Sequence, residues 1–389
     1  MIFNVISLKN YNIIFLLIDG ARIDRLSQSE HFTNIIKQGT FYSHMIAHAP
    51  YTLVQMNSIF TGMYGGKNGI DAYYKMFKHP KDNCKTLAEY FTENGWYTQG
   101  DAMRLSLVSN RGFKKLTQQE DFNTDYAKIH CEIIDEVLKT KEANQPFFLY
   151  LHYPKIHHQI QKSVLEKYND FSEEYFSNKE KNLENYDSYL KCAGEYLQTV
   201  YDKIISEELD KNSIIIVMAD HGMGVGEKKG EKAYGAFTYD YSIRTFALFI
   251  HPKIFPSDCK IDELTRTIDI MPTILGALDI KEDPNYSPMQ GENLIPLIGA
   301  ESTHIDSFDR IAFCETGGVK GPWPSPNKPN VKCVRTKKWK LIHNLNPNTW
   351  ELYNLIDDPQ EINNIIDNHH DITEKLKTKF IEIEEDCRK

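Results

Sequence analysis

Two continuous runs of apolar, largely β-branched residues constrain this chain more than anything else in it: Asn12-Ile-Ile-Phe-Leu-Leu-Ile18 and Ser213-Ile-Ile-Ile-Val-Met218. A short run without polar alternation suits a central strand covered on both faces. Both runs end in the same way. Ile18 leads into Asp19-Gly20, and Met218 leads into Ala219-Asp220-His221-Gly222. Phe147-Phe-Leu-Tyr-Leu-His152 and Phe246-Ala-Leu-Phe-Ile250 have the same texture. Helical segments are expected between them. Residues 86–94 end at Gly95, a helix stop, and 126–140 and 184–209 repeat apolar positions at helical spacing. A further helix is expected to start near Pro272. Strand–helix alternation predicts an α/β fold with a mainly parallel sheet and helices on both faces. In such sheets ligands gather beyond the carboxyl ends of the strands, where Asp19, His152, Asp220 and His221 all fall.

The texture changes near residue 305. Residues 311–315, 332–336 and 339–343 read as short strands, Gly321-Pro-Trp-Pro-Ser-Pro326 as an irregular loop, and 372–386 as a closing helix. We therefore expect a main domain over 1–304 and a small antiparallel subdomain over 305–389. The net charge of -9 argues against nucleic-acid binding, because no basic excess is available for phosphates. Seven scattered cysteines without a Cys-x-x-Cys pair suggest reduced thiols. The run Ile13–Ile18 is too short to cross a bilayer, and residues 1–10 lack signal-peptide features, so a cytoplasmic protein is expected. Oligomeric state does not follow from these features.

The residues with chemical potential each have a plainer explanation. Asp19 before Gly20 suits a turn as well as a metal ligand. Asp220-His221 suits a capped loop, although the glycines at 222, 224 and 226 would let both side chains turn toward one ion. Thr52, ahead of an apolar stretch, suits a helix N-cap; a helix starting there also offers its first amides to an anionic ester. If the three sites converge, they hold one divalent ion and an oxygen nucleophile, the makings of a metal-assisted hydrolase or group transferase. Arg22 and Asn57 are candidate anion contacts. Lys228, Lys229 and Lys232 follow the Asp-His pair, where most such lysines are simply solvated.

These segments, in this order, resemble the sulfatase branch of the alkaline phosphatase superfamily. Sulfatases carry Cys-x-Pro-Ser-Arg followed after four residues by Thr-Gly; counting back from Thr61-Gly62 puts the cysteine's place at Thr52. The strand ending at His152 and running on to His157, the Asp269–Leu275 segment, and the stretches at 334–336, 340–342 and 351–364 are similar to the family's later landmarks. The resemblance implies an alkaline-phosphatase-like sandwich, a metal site of Asp19, Thr52, Asp220 and His221, and His157 at the leaving group. It also implies substrate contacts from Asn57, His158 and Lys232.

The departures bear on the chemistry. Thr52 cannot yield formylglycine, because its β-carbon carries a methyl group. Val54 and Met56 replace the usual Pro and Arg, Gly20 replaces a second Asp, and Gly235 stands where a substrate lysine is usual, with Lys232 the nearest substitute. Threonine with Asp and Asp-His ligands is similar to superfamily members acting on phosphoesters. The expected function is metal-dependent hydrolysis or phosphotransfer on a small-molecule, glycan-linked or lipid-linked phosphoester, with phosphodiesterase activity included. The ion is expected to be Zn, Mn, Mg or Ca. The alternatives are a sulfuric ester hydrolase without formylglycine, and a non-catalytic binding protein with the same fold.

Overall fold

The computed structural model describes residues 11–119, 121, 123–168, 173–301, 307–317 and 327–388. In chain order its strands are β1 (Asn12–Ile18), β2 (Thr40–Ile46), β3 (Tyr97–Ala102), β4 (Lys115–Gln118) and β5 (Phe147–Tyr153). There follow β6 (Ser213–Met218), β7 (Arg244–Ile250), β8 (Cys259–Ile261) and β9 (Thr265–Arg266). The last four are β10 (Ala312–Thr316), β11 (Val331–Arg335), β12 (Trp339–Asn344) and β13 (Thr349–Asn354).

The first nine strands form one sheet in the order β4-β3-β5-β1-β6-β7-β2-β8, with β9 pairing β2. From β4 to β6 every pairing is parallel; β7 runs antiparallel to both β6 and β2. The two diagnostic runs lie side by side at the centre. Their residues alternate between two cores: Ile13, Phe15 and Leu17 pack with Ile214, Ile216 and Met218 on one face, Ile14, Leu16 and Ile18 with Ile215 and Val217 on the other. The first face is covered by helices Thr52–Thr61, Leu87–Glu93 and Ile270–Ala277, the second by helices Glu30–Ile36, Tyr126–Thr140 and Lys179–Ser206. Each fully buried Leu, Ile or Phe contributes about 1.5–3 kcal/mol, so neither face could stay open.

Helix Tyr126–Thr140 has the expected bounds. The Leu87–Glu93 helix carries a reciprocal cap between Thr86 and Glu89. The long helix starts at Lys179 rather than 184, its first turns being too charged for an apolar period to register. Strand β2 is masked in the sequence by Ser43 and His44, which interrupt its apolar pattern although both are buried.

The strands β10 to β13 form a separate antiparallel sheet, and the closing helix spans His370–Arg388. One face of this sheet shares a core with Ile46, Phe237 and Ile243 of the main layer; the other packs under Leu376 and Phe380 of the closing helix. β13 is one strand more than the sequence suggested. The Gly321–Pro326 loop and the stretch around the expected 304/305 boundary lie outside the described residues. Among the described residues no helix is long and apolar enough to cross a membrane.

Candidate active site

Parallel pairing of β5, β1 and β6 places His152, Asp19, Asp220 and His221 at one edge of the sheet. All four are fully buried. The backbone at Gly20 turns with φ +74°, and its amide donates to Asp220 Oδ1 at 3.2 Å. A Cβ at position 20 would lie 2.5 Å from the terminal methyl of Met223. The Met223 side chain thus occupies the space beside Gly20, and the positive φ adds to the cost of any side chain there.

The nucleophile candidate arrives on the helix Thr52–Thr61, every residue of which is buried. Tyr51, with extended backbone, holds the N-cap position, so Thr52 is the first helical residue and its hydroxyl is not a cap. Gln55 Oε1 accepts from the amides of His48 and Ala49 at 2.9 and 3.2 Å and fixes the approach to the helix. The helix closes at Gly62, in the left-handed region at φ +65°. Thr52 Oγ1 consequently lies 3.3 Å from Asp19 Oδ2 and 3.5 Å from His221 Nε2.

The electrostatics of this cluster are unbalanced. Asp19, Asp220 and His221 present ligand atoms within 4.8 Å of one another. His221 Nδ1 lies 2.8 Å from the Gly222 carbonyl, which only accepts, so the proton is on Nδ1 and the Nε2 lone pair is free to bind a cation. Asp19 Oδ1 and Asp220 Oδ2 are buried without a hydrogen bond. A pair of carboxylates and an imidazole lone pair, partly orphaned in a buried pocket, is a donor set for a hard divalent ion. His152 Nε2 lies 3.0 Å from Asp19 Oδ2, while its Nδ1 meets the Tyr150 hydroxyl at 3.0 Å. Burial would raise the Asp19 carboxyl, yet His157, His152 and His221 together hold it well below the usual range. Burial, and then the Asp19 charge, push Asp220 upward.

A cleft of about 290 Å³ opens over Thr52, lined also by Tyr51, Tyr73, Arg104, His157 and Tyr234. His157 sits on the helix Lys155–Ile160 that follows β5, with Nε2 2.6 Å from the Tyr234 hydroxyl and Nδ1 lacking a partner. Burial lowers its basicity, against the pull of the Asp19 charge. His158, beside it, is pushed down to about 4 by burial and by His157.

The other sequence candidates lie apart from the hydroxyl. Asn57 donates to the carbonyls of Leu53 and Leu107 at 2.7 and 3.2 Å, tying the 105–107 turn to the nucleophile helix. Lys232 donates to the carbonyls of Leu165 and Tyr168. Arg22 pairs with Asp24 and Glu227 and donates to the Met223 carbonyl. Lys228 reaches the Glu361 carbonyl and the face of Tyr239, and Lys229 pairs with Glu173. Sequence reasoning missed Tyr234 and Arg104, which carry no motif, and underweighted His152, whose place at a strand end was its one signal.

Comparison with known proteins accords with this geometry. A family model described as Sulfatase matches residues 11–280, and one described as N-sulphoglucosamine sulphohydrolase, C-terminal, matches residues 232–386. The chain is 22% identical over 434 aligned positions to the uncharacterized sulfatase YidJ of Escherichia coli K12, spanning 92% of this chain and 84% of that protein. A solved structure in complex with its substrate D-glucosamine-2-N,6-O-disulfate superposes with a TM-score of 0.75 at 17% identity, over 97% of this chain and 98% of that one. The phosphonate monoester hydrolase of Agrobacterium radiobacter superposes with a TM-score of 0.75 at 14% identity, over 97% and 96%. At such identities the superpositions establish a shared fold.

Proposed function

The chain belongs to the sulfatase family, a family of ester hydrolases, and from that premise we propose that it cleaves or transfers phosphoesters with Thr52 as nucleophile. The observation that carries this reading is the Thr52 hydroxyl, within 3.3–3.5 Å of both Asp19 and His221 at the floor of the cleft. A divalent ion held by Asp19, Thr52, Asp220 and His221 would supply Lewis-acid stabilisation of the transferring oxygens, its identity open among Zn, Mn, Mg and Ca.

The chain's own groups account for the rest. The Thr52 hydroxyl is oriented by Asp19 Oδ2 and would release its proton to water in the cleft as Oγ1 bonds to phosphorus and the bond to the leaving oxygen breaks. The first amides of the Thr52–Thr61 helix have no helical partners and face the developing negative charge. His157 offers Nδ1 to the leaving oxygen and is held in place by Tyr234. Water, or a second alcohol, then attacks phosphorus and frees Thr52.

Threonine is the reason to favour phosphorus over sulfur. Oxidation at its β-carbon would give a ketone, so the aldehyde route of formylglycine sulfatases is closed. The Agrobacterium phosphonate monoester hydrolase supports the reading, since its fold, which this chain shares, hosts phosphorus chemistry there. The test is turnover of bis-p-nitrophenyl phosphate and p-nitrophenyl sulfate with each of the four ions added. Diester turnover is expected; sulfate release alone would overturn the phosphoester reading, and no turnover with any ion would overturn catalysis.

A further inference from the structure

Eight large apolar side chains stand exposed among the described residues, and three of them adjoin, along the chain, residues that line the cleft: Phe77 at 85% exposure, Tyr74 at 57% and Leu105 at 47%. Their chain neighbours tie them to it. Tyr73 and Met76 line the cleft from one segment, Met103 and Arg104 from the other. The Tyr73 ring stands 6.0 Å from the ring of Tyr51, the residue before the nucleophile.

Cations are interleaved with these apolar groups, in Tyr73-Tyr-Lys-Met-Phe-Lys-His-Pro-Lys81 and in Arg104-Leu105. Lys75 pairs with Asp71, whereas Lys78, Lys81 and Arg104 form no ion pair among the described residues. Asp71 and Asp82 are the acids of the first segment, Glu166 stands in the cleft wall, and Glu89 is neutralised by Arg111 behind Lys81. A chain of net charge -9 thus carries four cations and three exposed apolar tips in the two segments that line the cleft.

Apolar tips beside unpaired cations are what an interfacial surface needs: the tips enter the headgroup boundary while the cations meet lipid phosphates. A sugar chain would use only the ring faces of Tyr73, Tyr74 and Phe77, whereas Leu105 and Met76 add aliphatic surface that a lipid boundary takes up. We propose that the mouth of the cleft docks on an anionic lipid surface through Tyr74, Phe77, Leu105, Lys78, Lys81 and Arg104, so that the phosphoester reaches Thr52 as part of a lipid headgroup. The final clause rests on the phosphoester reading above; the docking does not.

The experiment is co-sedimentation of the full chain with phosphatidylcholine vesicles, with and without phosphatidylglycerol. Binding is expected only to the anionic vesicles, and it should weaken as salt is raised. Tyr74→Ser with Phe77→Ser should lower it about tenfold or more, and Lys78→Glu with Lys81→Glu should abolish it. The serine pair sits on exposed side chains, so bis-p-nitrophenyl phosphate turnover should stay at the wild-type rate. Absence of binding to anionic vesicles would overturn the docking. Binding to a soluble acidic polysaccharide in place of vesicles would overturn it in favour of a glycan surface. Vesicle binding without any diester turnover would leave the docking standing and remove the phosphoester reading.

Discussion

Buried Lys340, Arg335 and Glu361 form a cluster with the half-buried Asp240 between the two sheets; Asp19, Asp220, His152 and His221 form another, fully buried, at the carboxyl ends of β5, β1 and β6. In the first, Lys340 meets Asp240 and, at 2.7 Å, Glu361, while Arg335 holds Asp240 through Nε at 3.0 Å and Nη2 at 2.8 Å. Burial would raise the Asp240 carboxyl, but Arg335 and Lys340 hold it far below its usual range. In the second, two carboxylates and an imidazole lone pair converge with no lysine or arginine paired to them among the described residues, and Asp220 is pushed up. A cluster that neutralises itself is scaffold. One that is left short of positive charge is a candidate ligand site.

Substitutions can break that contrast. Thr52→Ala should lower kcat/KM by about 10³-fold or more on a phosphodiester while the thermal melt stays close to wild type. Thr52→Ser, which keeps the hydroxyl, should retain measurable turnover. Near-wild-type rates in the alanine variant would mean that the second cluster is not where the chemistry happens.

The next largest effect separates the clusters by stability. Lys340→Met leaves the buried Glu361 without its cation, while Asp240 keeps Arg335, and should cost about 3–5 kcal/mol in denaturant unfolding. Asp220→Asn should not destabilise the metal-free protein, because it relieves repulsion with Asp19, yet equilibrium dialysis should show loss of the bound ion. Equal destabilisation by both changes would erase the distinction. A smaller loss is expected for His152→Phe, which removes the partner of Asp19 Oδ2: about 10–100-fold in ion affinity or activity.

The smallest effect is in pH dependence. Burial lifts Glu231 to about 7, even though the amides of Ala236 and Phe237 and the Tyr241 hydroxyl all bond to it. Its folded value is raised, so its contribution is complete below the ordinary 4.5 and is lost as pH rises through about 7. Asp240 has the opposite sign: its contribution is present above the ordinary 3.8 and is lost only as strong acid reaches the depressed folded value. Glu231→Gln should flatten the stability profile between pH 4.5 and about 7 and leave the acid limb in place. An unchanged slope in that window would show that Glu231 does not titrate there.

The central strands and the strand-end ligands of the second cluster are legible in the sequence alone. The runs 12–18 and 213–218 mark central strands because burial on both faces is written into consecutive side chains, a purely local signal. Asp19 and Asp220-His221 follow, since the residue that leaves a parallel strand at its carboxyl end faces the ligand edge whatever the neighbours are. Thr52 needs a register taken from the family, and its place one residue past the N-cap comes only from the structure.

What the sequence could not determine depends on distant partners. The antiparallel run of β7 beside β6 is set by the chain's path, not by the texture of Phe246–Ile250. Lys232 reads in sequence as free to bind an anion, but carbonyls from residues 165 and 168 occupy its ammonium. Gly20 reads as a lost ligand, yet Met223 fills the space that a side chain would need. Hydrophobic period is inscribed residue by residue along the chain, so sequence alone decided the layers and the strand ends. Hydrogen bonds and steric room belong to pairs of groups brought together from far apart, so only the tertiary structure decided which polar side chains are already engaged and which remain available for a ligand.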